Sequence, residues 1–250
     1  MKVRSVIAVL ALLSSPVAMA ESALIAVATN FAEVAALLVE DFEAASGHDI
    51  GIATGATGKL YAQITNDAPY DALLAADQER PMRLEVSGDA VAGTRFVYAV
   101  GQLTLWSADA AMFGDDGAAV LRSGAFRSLA MANPELAPYG AAARDTLQSL
   151  GLWDELQPKI VLGENVGQAF ALVATRNAEL GFVALASVMS EHNATEGSRW
   201  DVPAAMHELI RQDAVLLRHG SDNAAAIAFL AYLRSDAAKA RIVAMGYGLE

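Results

Sequence analysis

Apolar residues along the chain fall into short unbroken runs that alternate with stretches of helical period. Residues 25–28 form an apolar run, and residues 31–43 then place Val34, Leu37, Leu38 and Phe42 on one helical side. Short apolar runs are typical of strands in a covered sheet, and the helical spacing is typical of amphipathic helices. The alternation predicts an α/β fold in which helices join neighbouring strands.

The same unit recurs directly afterwards, around a glycine-rich loop at residues 55–60. Before this loop, residues 48–53 alternate apolar and small side chains as a short strand would. After it, Leu60, Ile64 and Ala68 lie at i, i+4 and i+8, which marks one helical face. The chain therefore begins with two strand–loop–helix units.

Small polar side chains stand at both predicted helix starts: Thr29 and Asn30 in the first unit, and Thr57 in the second. Main-chain N–H groups in the first turn of a helix lack a partner within the helix and carry partial positive charge. Two such helix starts close together are expected to hold one anion between them. For the glycine loop alone, an ordinary strand-to-helix turn is an equally good explanation.

The glycine loop does not match the phosphate-binding loop of nucleotide-hydrolysing proteins. That motif requires glycine at its first position and Ser or Thr at its last, where the hydroxyl holds Mg²⁺. Ala53 and Leu60 occupy these two positions. The sequence thus excludes this form of nucleotide binding.

Later residues continue the same alternation. Strands are predicted over residues 69–76, 130–133, 180–185 and 213–218, and helices over residues 141–150 and 168–176. Asp77 is expected to cap a further helix that carries Met82, Leu84 and Val86, and Asp222 and Asp236 are expected to cap the last two helices.

A ribbon at residues 95–106, interrupted at Gly101, predicts a connection between two lobes. Residues 21–99 and 212–250 are assigned to lobe 1, and residues 100–211 to lobe 2. Ligands of open α/β sheets bind beyond the carboxyl ends of the strands, where helices begin. Two helix starts from each lobe are therefore expected to meet in one cleft.

Residues 1–20 have the features of a secretory signal peptide. Lys2 and Arg4 precede an apolar core at residues 6–13, and the segment ends in a small-x-small cleavage pattern at Ala20. The core is shorter than the roughly 20 residues of a membrane-spanning helix. We expect cleavage near Ala20, a periplasmic location and no membrane insertion.

Composition narrows the possible partners. The chain contains no cysteine, so it lacks the residue through which bacterial lipoproteins are anchored, and we expect a freely diffusing protein. Its formal net charge of −12 argues against nucleic acid and anionic membranes as partners. A buried anion can still be bound, because surface charge is screened beyond about 8–10 Å at physiological salt while neutral dipoles act at short range.

Enzyme motifs are absent from the sequence. The four histidines are isolated, no H-E-x-x-H or G-x-S-x-G motif occurs, and there is no cysteine nucleophile. Asp71 and Asp77 are better explained as a strand-edge residue and a helix cap than as paired catalytic carboxylates. We therefore predict no enzyme activity, no catalytic residue and no protein-metal ligand, and a periplasmic enzyme is the less favoured alternative.

Seven short motifs follow one another along the mature chain. They are ATNF at 28–31, GATGKLYAQI at 55–64, DALLAADQ at 71–78, APYG at 137–140, LGLW at 150–153, ENV at 164–166 and LGFV at 180–183. In this order and spacing they resemble the periplasmic molybdate-binding proteins of ABC transporters, over nearly the whole mature chain.

The resemblance implies a type II two-lobe solute-binding protein that closes over a tetrahedral oxyanion in the interlobe cleft. Thr29 and Asn30 would bind molybdate from the first loop and Thr57 from the second. The main-chain N–H groups of Tyr139 and Val166 would bind it from the other lobe. Molybdenum would thus be held as its oxyanion, without a direct protein-metal bond and without a cofactor.

The resemblance also implies tungstate as a second ligand, delivery to an ABC permease with its ATPase, and a monomeric protein. In some members serines stand in place of Asn30 and Thr57, and a tyrosine stands in place of Ala184, which cannot donate a side-chain hydrogen bond. A receptor for sulfate or phosphate in the same fold is the other alternative. Protonated phosphate would require a carboxylate acceptor, and Glu164 is the only one in the proposed loops.

Overall fold

The structure is a computed structural model that describes residues 20–114 and 116–250. The predicted signal peptide, apart from Ala20, lies outside the described residues. The strands are β1 (Ser22–Ala28), β2 (Asp49–Gly55), β3 (Ala72–Leu74), β4 (Phe96–Gly101), β5 (Leu103–Ser107), β6 (Leu129–Ala132), β7 (Ile160–Gly163), β8 (Leu180–Ala184), β9 (Ser198–Asp201) and β10 (Ile210–Leu216). The α-helices are α1 (Ala32–Ser46), α2 (Thr57–Ile64), α3 (Glu79–Ser87), α4 (Gly117–Ser123), α5 (Pro138–Ser149), α6 (Trp153–Leu156), α7 (Val166–Ala174), α8 (Leu185–Met189), α9 (Ala224–Leu233) and α10 (Asp236–Ala244).

The strands form two five-stranded sheets, one in each lobe. The first sheet has the order β2-β1-β3-β10-β4, and the second has the order β7-β6-β8-β5-β9. In the first, β1 runs parallel to β2 and β3, and β10 runs antiparallel to β3 and β4. In the second, β6 runs parallel to β7 and β8, and β5 runs antiparallel to β8 and β9. The predicted two-lobe α/β architecture is confirmed.

Two segments connect the sheets. The chain leaves the first sheet after Gly101, enters the second at Leu103, and returns to the first sheet at Ile210. The predicted lobe boundaries, at residues 99/100 and 211/212, fall inside β4 and β10, and both strands belong to the first sheet along their whole length.

Along each strand, successive side chains point to opposite faces of the sheet, so they pack into different apolar cores. On β1, Ile25 and Val27 pack into the core beneath α1 and α9, whereas Ala26 packs on the opposite face with Leu60 of α2. Helices thus cover both faces of the first sheet, and the ends of its strands are left to face the second lobe.

The second sheet follows the same rule. Leu105 and Phe182 join the core beneath α5, while Trp106 and Val183 join the core beneath α7. Trp106 stacks on Phe170 of α7 at a centroid distance of 4.9 Å. Within the described residues, no helix is both long and apolar enough to cross a membrane.

Several predicted details are wrong. Helix α5 begins at Pro138, three residues before the predicted start, because proline at the first helical position is compatible with the helical backbone. Strand β7 was not predicted, and it lies at a sheet edge where the Leu162 side chain is exposed. Residues 69–76 contain only the three-residue strand β3 (Ala72–Leu74).

The predicted helix that carries Met82, Leu84 and Val86 is confirmed as α3. Of these three side chains, Leu84 is fully buried, and Met82 and Val86 are exposed. The caps of the last two helices are Asn223, one residue after the predicted Asp222, and Ser235, one residue before the predicted Asp236.

Candidate functional site

Four helix starts, two from each lobe, converge on a small cavity between the lobes. The first is a 3₁₀ turn (Thr29–Phe31) that leads into α1, and the others are the first turns of α2, α5 and α7. The cavity is lined by Ala28, Thr29, Asn30, Gly55, Ala56, Thr57, Ala76, Ala137, Pro138, Tyr139, Asn165 and Val166. The structure thus brings together all five predicted ligand-binding residues.

Thr29 supplies a buried hydroxyl that lacks a partner. Its Oγ1 is buried and makes no hydrogen bond with any described residue. A buried polar atom without a partner costs about 1–3 kcal/mol, so such an atom beside a cavity indicates a group that a ligand would satisfy.

The Asn30 side chain is engaged in hydrogen bonds within the protein, so it is not available as a ligand for an anion in the cavity. Its Nδ2 donates to Gln212 Oε1 at 3.0 Å and to Tyr247 Oη at 3.2 Å, and its main-chain oxygen accepts from Tyr247 Oη at 2.6 Å. These bonds occupy the amide N–H groups in a buried network. The main-chain N–H in the 3₁₀ turn is therefore the donor that Asn30 can offer an anion.

Thr57 begins α2 and is almost fully buried. Its Oγ1 accepts a hydrogen bond of 3.1 Å from the Ala76 main-chain N–H. The hydroxyl keeps its own hydrogen, which can be donated to an anion in the cavity.

Tyr139 lies in the first turn of α5, directly after Pro138. Its main-chain N–H makes no hydrogen bond with another main-chain group in the described part of the chain. The next residue, Gly140, has no room for a Cβ, because that atom would lie 2.8 Å from the carbonyl carbon of Ala132. Close packing of α5 on the end of β6 thus fixes the position of the Tyr139 N–H.

Val166 begins α7, and a neighbouring amide fixes the turn before it. Asn165 Oδ1 accepts from the Gln168 N–H at 3.0 Å, and Gln168 Oε1 accepts from the Glu164 N–H at 2.8 Å. This reciprocal pair resembles a capping box and leaves the Val166 N–H without an internal partner. Sequence reasoning missed Asn165, although asparagine before a helical run is an N-cap signal.

All twelve lining residues are uncharged, so the cavity offers N–H and O–H groups without a counter-charge. Burial raises the pKa of Tyr139 well above its ordinary value, so its phenol stays neutral. Lys59, in the first turn of α2, forms an ion pair with Glu164 on the other lobe. Among the described residues, no cluster of three or more His, Cys, Asp or Glu side chains is placed to hold a metal ion.

Comparison with known proteins agrees with this geometry. The family model described as bacterial extracellular solute-binding protein matches residues 23–248. The chain belongs to this family. It is 47% identical to the molybdate-binding protein ModA of Azotobacter vinelandii over 247 residues, covering 99% of this chain and 98% of the relative. It is 44% identical to ModA of Rhodobacter capsulatus over 225 residues, covering 90% and 87%.

A solved structure shares the fold of this solute-binding protein. The periplasmic molybdate-binding protein of Azotobacter vinelandii superposes with a TM-score of 0.87 and 39% identity, covering 91% of this chain and 99% of that one. This match confirms the prediction that the chain has the type II periplasmic binding protein fold.

The lobes of this solute-binding protein are closed over the cavity. The Gly58 main-chain N–H donates to the Leu136 carbonyl at 2.9 Å, which joins α2 to the loop before α5. A Cβ on Gly167 would lie 2.6 Å from Thr29 Cγ2, so the two lobes touch there as well. Farther out, Glu33 accepts a hydrogen bond of 2.8 Å from the Ser190 hydroxyl. The cavity is thus enclosed from both lobes.

Proposed function

We propose that this protein binds molybdate, and tungstate in the same way, in the periplasm for delivery to an ABC importer. The uncharged lining of the interlobe cavity carries the proposal. Its relatives named as molybdate-binding proteins in two bacteria support the choice of ligand.

Neutral donors suit a tetrahedral oxyanion that stays doubly charged near neutral pH. Each hydrogen bond to a charged group contributes about 1.5–3 kcal/mol, and several neutral donors can bind the same anion from fixed directions. A lysine would supply a point charge that attracts any anion with little preference for its shape. The unpartnered Thr29 hydroxyl and the free N–H groups of Tyr139 and Val166 are such donors, and they come from both lobes.

The same donors account for selection against sulfate. A smaller anion cannot reach donors on both lobes at once, and each buried donor left unpaired costs about 1–3 kcal/mol. Protonated phosphate needs an acceptor, and the nearby carboxylate of Glu164 is already paired with Lys59. The cavity lining includes no arginine that would grip an organic carboxylate.

The proposed role is binding and delivery, with no chemical step and no cofactor. The protein would act as a monomer that presents its loaded lobes to a membrane permease and its ATPase. Export through the predicted signal peptide would place it in the periplasm.

Calorimetric titration of the mature protein, residues 21–250, tests the proposal. Molybdate and tungstate should bind tightly with one ion per protein, and sulfate and phosphate should bind at least about 100-fold more weakly, which corresponds to two unpaired donors of about 1.4 kcal/mol each. Tighter binding of sulfate or phosphate than of molybdate would overturn the assignment.

A further inference from the structure

The Tyr139 side chain reaches from the cavity to the two segments that connect the lobes. Its main chain lines the cavity, while its hydroxyl lies against Gly101 at the end of β4 and Gln212 on β10. Gln212 Nε2 donates to Tyr139 Oη at 3.4 Å. A Cβ on Gly101 would lie 2.6 Å from Gln212 Nε2 and still nearer to Tyr139 Oη, so the absence of that atom makes room for the hydroxyl.

The surface that receives this hydroxyl is held in place within the first lobe. Gln212 is fully buried, and its Oε1 accepts from Tyr98 Oη at 2.9 Å and from Asn30 Nδ2 at 3.0 Å. Tyr98 Oη also lies 3.1 Å from the Ala75 carbonyl oxygen, a second acceptor for the same hydrogen. Because its partners come from separate elements, Gln212 has little freedom to give way.

We propose that Tyr139 is the closure stop of this protein. In a two-lobe binding protein the lobes close by bending at the connecting segments, and Tyr139 belongs to the lobe that moves relative to Gln212. Closure ends when the phenol meets Gly101 and Gln212. The proposal rests on the molybdate-binding function given above.

The stop acts on ligand size. The N–H of Tyr139 faces the cavity, so the length of its phenol fixes how near that donor comes to an anion gripped by Thr29 and Thr57. A shorter side chain at residue 139 would let the lobes approach farther and contract the cavity. Tyr139 is thus a positioning residue whose side chain sets the discrimination between molybdate and the smaller sulfate.

Three variants test the closure stop: Gly101→Ala, Tyr139→Phe and the double variant. Gly248→Ala is the matched control, because Gly248 pairs with Val100 beside the same segment but its added Cβ would have an ordinary 3.4 Å contact. Each protein is titrated with molybdate and with sulfate, and its unfolding temperature is measured without anion.

Gly101→Ala should weaken molybdate binding by about 5- to 150-fold, the range for overpacking by one methyl group. Its unfolding temperature without anion should also fall, because the added Cβ would lie 2.6 Å from Gln212 Nε2 within the first lobe, so the contribution of Tyr139 is taken from the difference between Gly101→Ala and the double variant. The double variant should recover part of the affinity, since removal of the phenol oxygen relieves the nearest contact of the added Cβ while its contact with Gln212 Nε2 remains. Tyr139→Phe alone should shift the molybdate-to-sulfate affinity ratio toward sulfate, and Gly248→Ala should bind as the wild type does.

An unchanged molybdate affinity in Gly101→Ala, or a double variant no better than Gly101→Ala, would overturn the closure stop. Because Tyr139→Phe removes a single oxygen, its affinity ratio decides the matter even if Gly101→Ala folds poorly, and an unchanged ratio would count against the proposal. Failure of the wild type itself to bind molybdate would instead overturn the proposed function.

Discussion

The Thr57 hydroxyl oxygen accepts a hydrogen bond of 3.1 Å from the Ala76 main-chain N–H, and both residues line the interlobe cavity. A hydroxyl has one donor and two acceptor lone pairs, so this bond leaves its proton available. One short side chain therefore joins the start of α2 to the segment after β3 and can also donate to an anion.

Thr57→Ala should weaken molybdate binding by roughly 1.5–3 kcal/mol, because one hydrogen bond to a charged group is lost. Thr57→Ser keeps the hydroxyl and should bind within about threefold of the wild type. Calorimetric titration of both variants provides the measurement. Equal affinities of the alanine variant and the wild type would remove Thr57 from the site.

Thr29→Val should have opposite effects on stability and on binding. The Thr29 hydroxyl is buried without a partner, so a methyl group of the same shape should leave the free energy of unfolding without anion unchanged or higher. Molybdate affinity should fall by about 1.5–3 kcal/mol. Thr65→Val, at the exposed threonine directly after α2, is the control for affinity. A marked loss of stability without anion would show that the hydroxyl has a structural partner.

Glu164→Gln should make the site less selective. The ion pair between Lys59 and Glu164 spans the lobes, with side chains 49% and 36% exposed, so it contributes only about 0–1 kcal/mol to stability. Without Glu164, the freed lysine charge should raise the affinity for sulfate and molybdate alike, by less than about tenfold. The effect should disappear at high salt. Glu79→Gln, which breaks an exposed pair with Arg83 within α3, should leave both affinities unchanged.

Alkaline pH should destabilise the fold through the buried tyrosines. Burial raises the pKa of Tyr98, Tyr139 and Tyr247, so the folded chain keeps phenol protons that the unfolded chain loses above about pH 10. Their contribution to stability is complete below that pH and decreases as the pH rises further. Unfolding is measured by circular dichroism and ionisation by phenolate absorbance. The three tyrosines should ionise only at the pH at which the protein unfolds. Reversible ionisation of all tyrosines in the folded protein would contradict this.

Local sequence signals predicted the parts of the fold and site that depend on neighbouring residues. Apolar runs located β1 and β8, and small polar residues before apolar periodicity located the helix starts at Thr29 and Thr57. The capping role of Asn165 and the helical start at Pro138 depended on equally local signals that were overlooked.

Contacts distant in sequence could not be predicted in this way. The Asn30 amide bonds to Gln212 and Tyr247, which are 182 and 217 residues away, and no pattern near Asn30 indicates either partner. A single sequence also gives no sign that the tail holding Tyr247 returns to the connecting segments. The resemblance to a known family supplied the main-chain donors at Tyr139 and Val166, because any residue carries an N–H group.

The place of β10 in the first sheet constrains the order in which the chain can fold. This strand separates β3 from β4, yet it follows the entire second sheet in sequence. As the chain is made from its N-terminal end, β4 has no neighbouring strand in the first sheet until Ile210–Leu216 has been added. The lobe that begins later along the chain can therefore complete its sheet first, and the lobe that carries Thr29 and Thr57 is completed last.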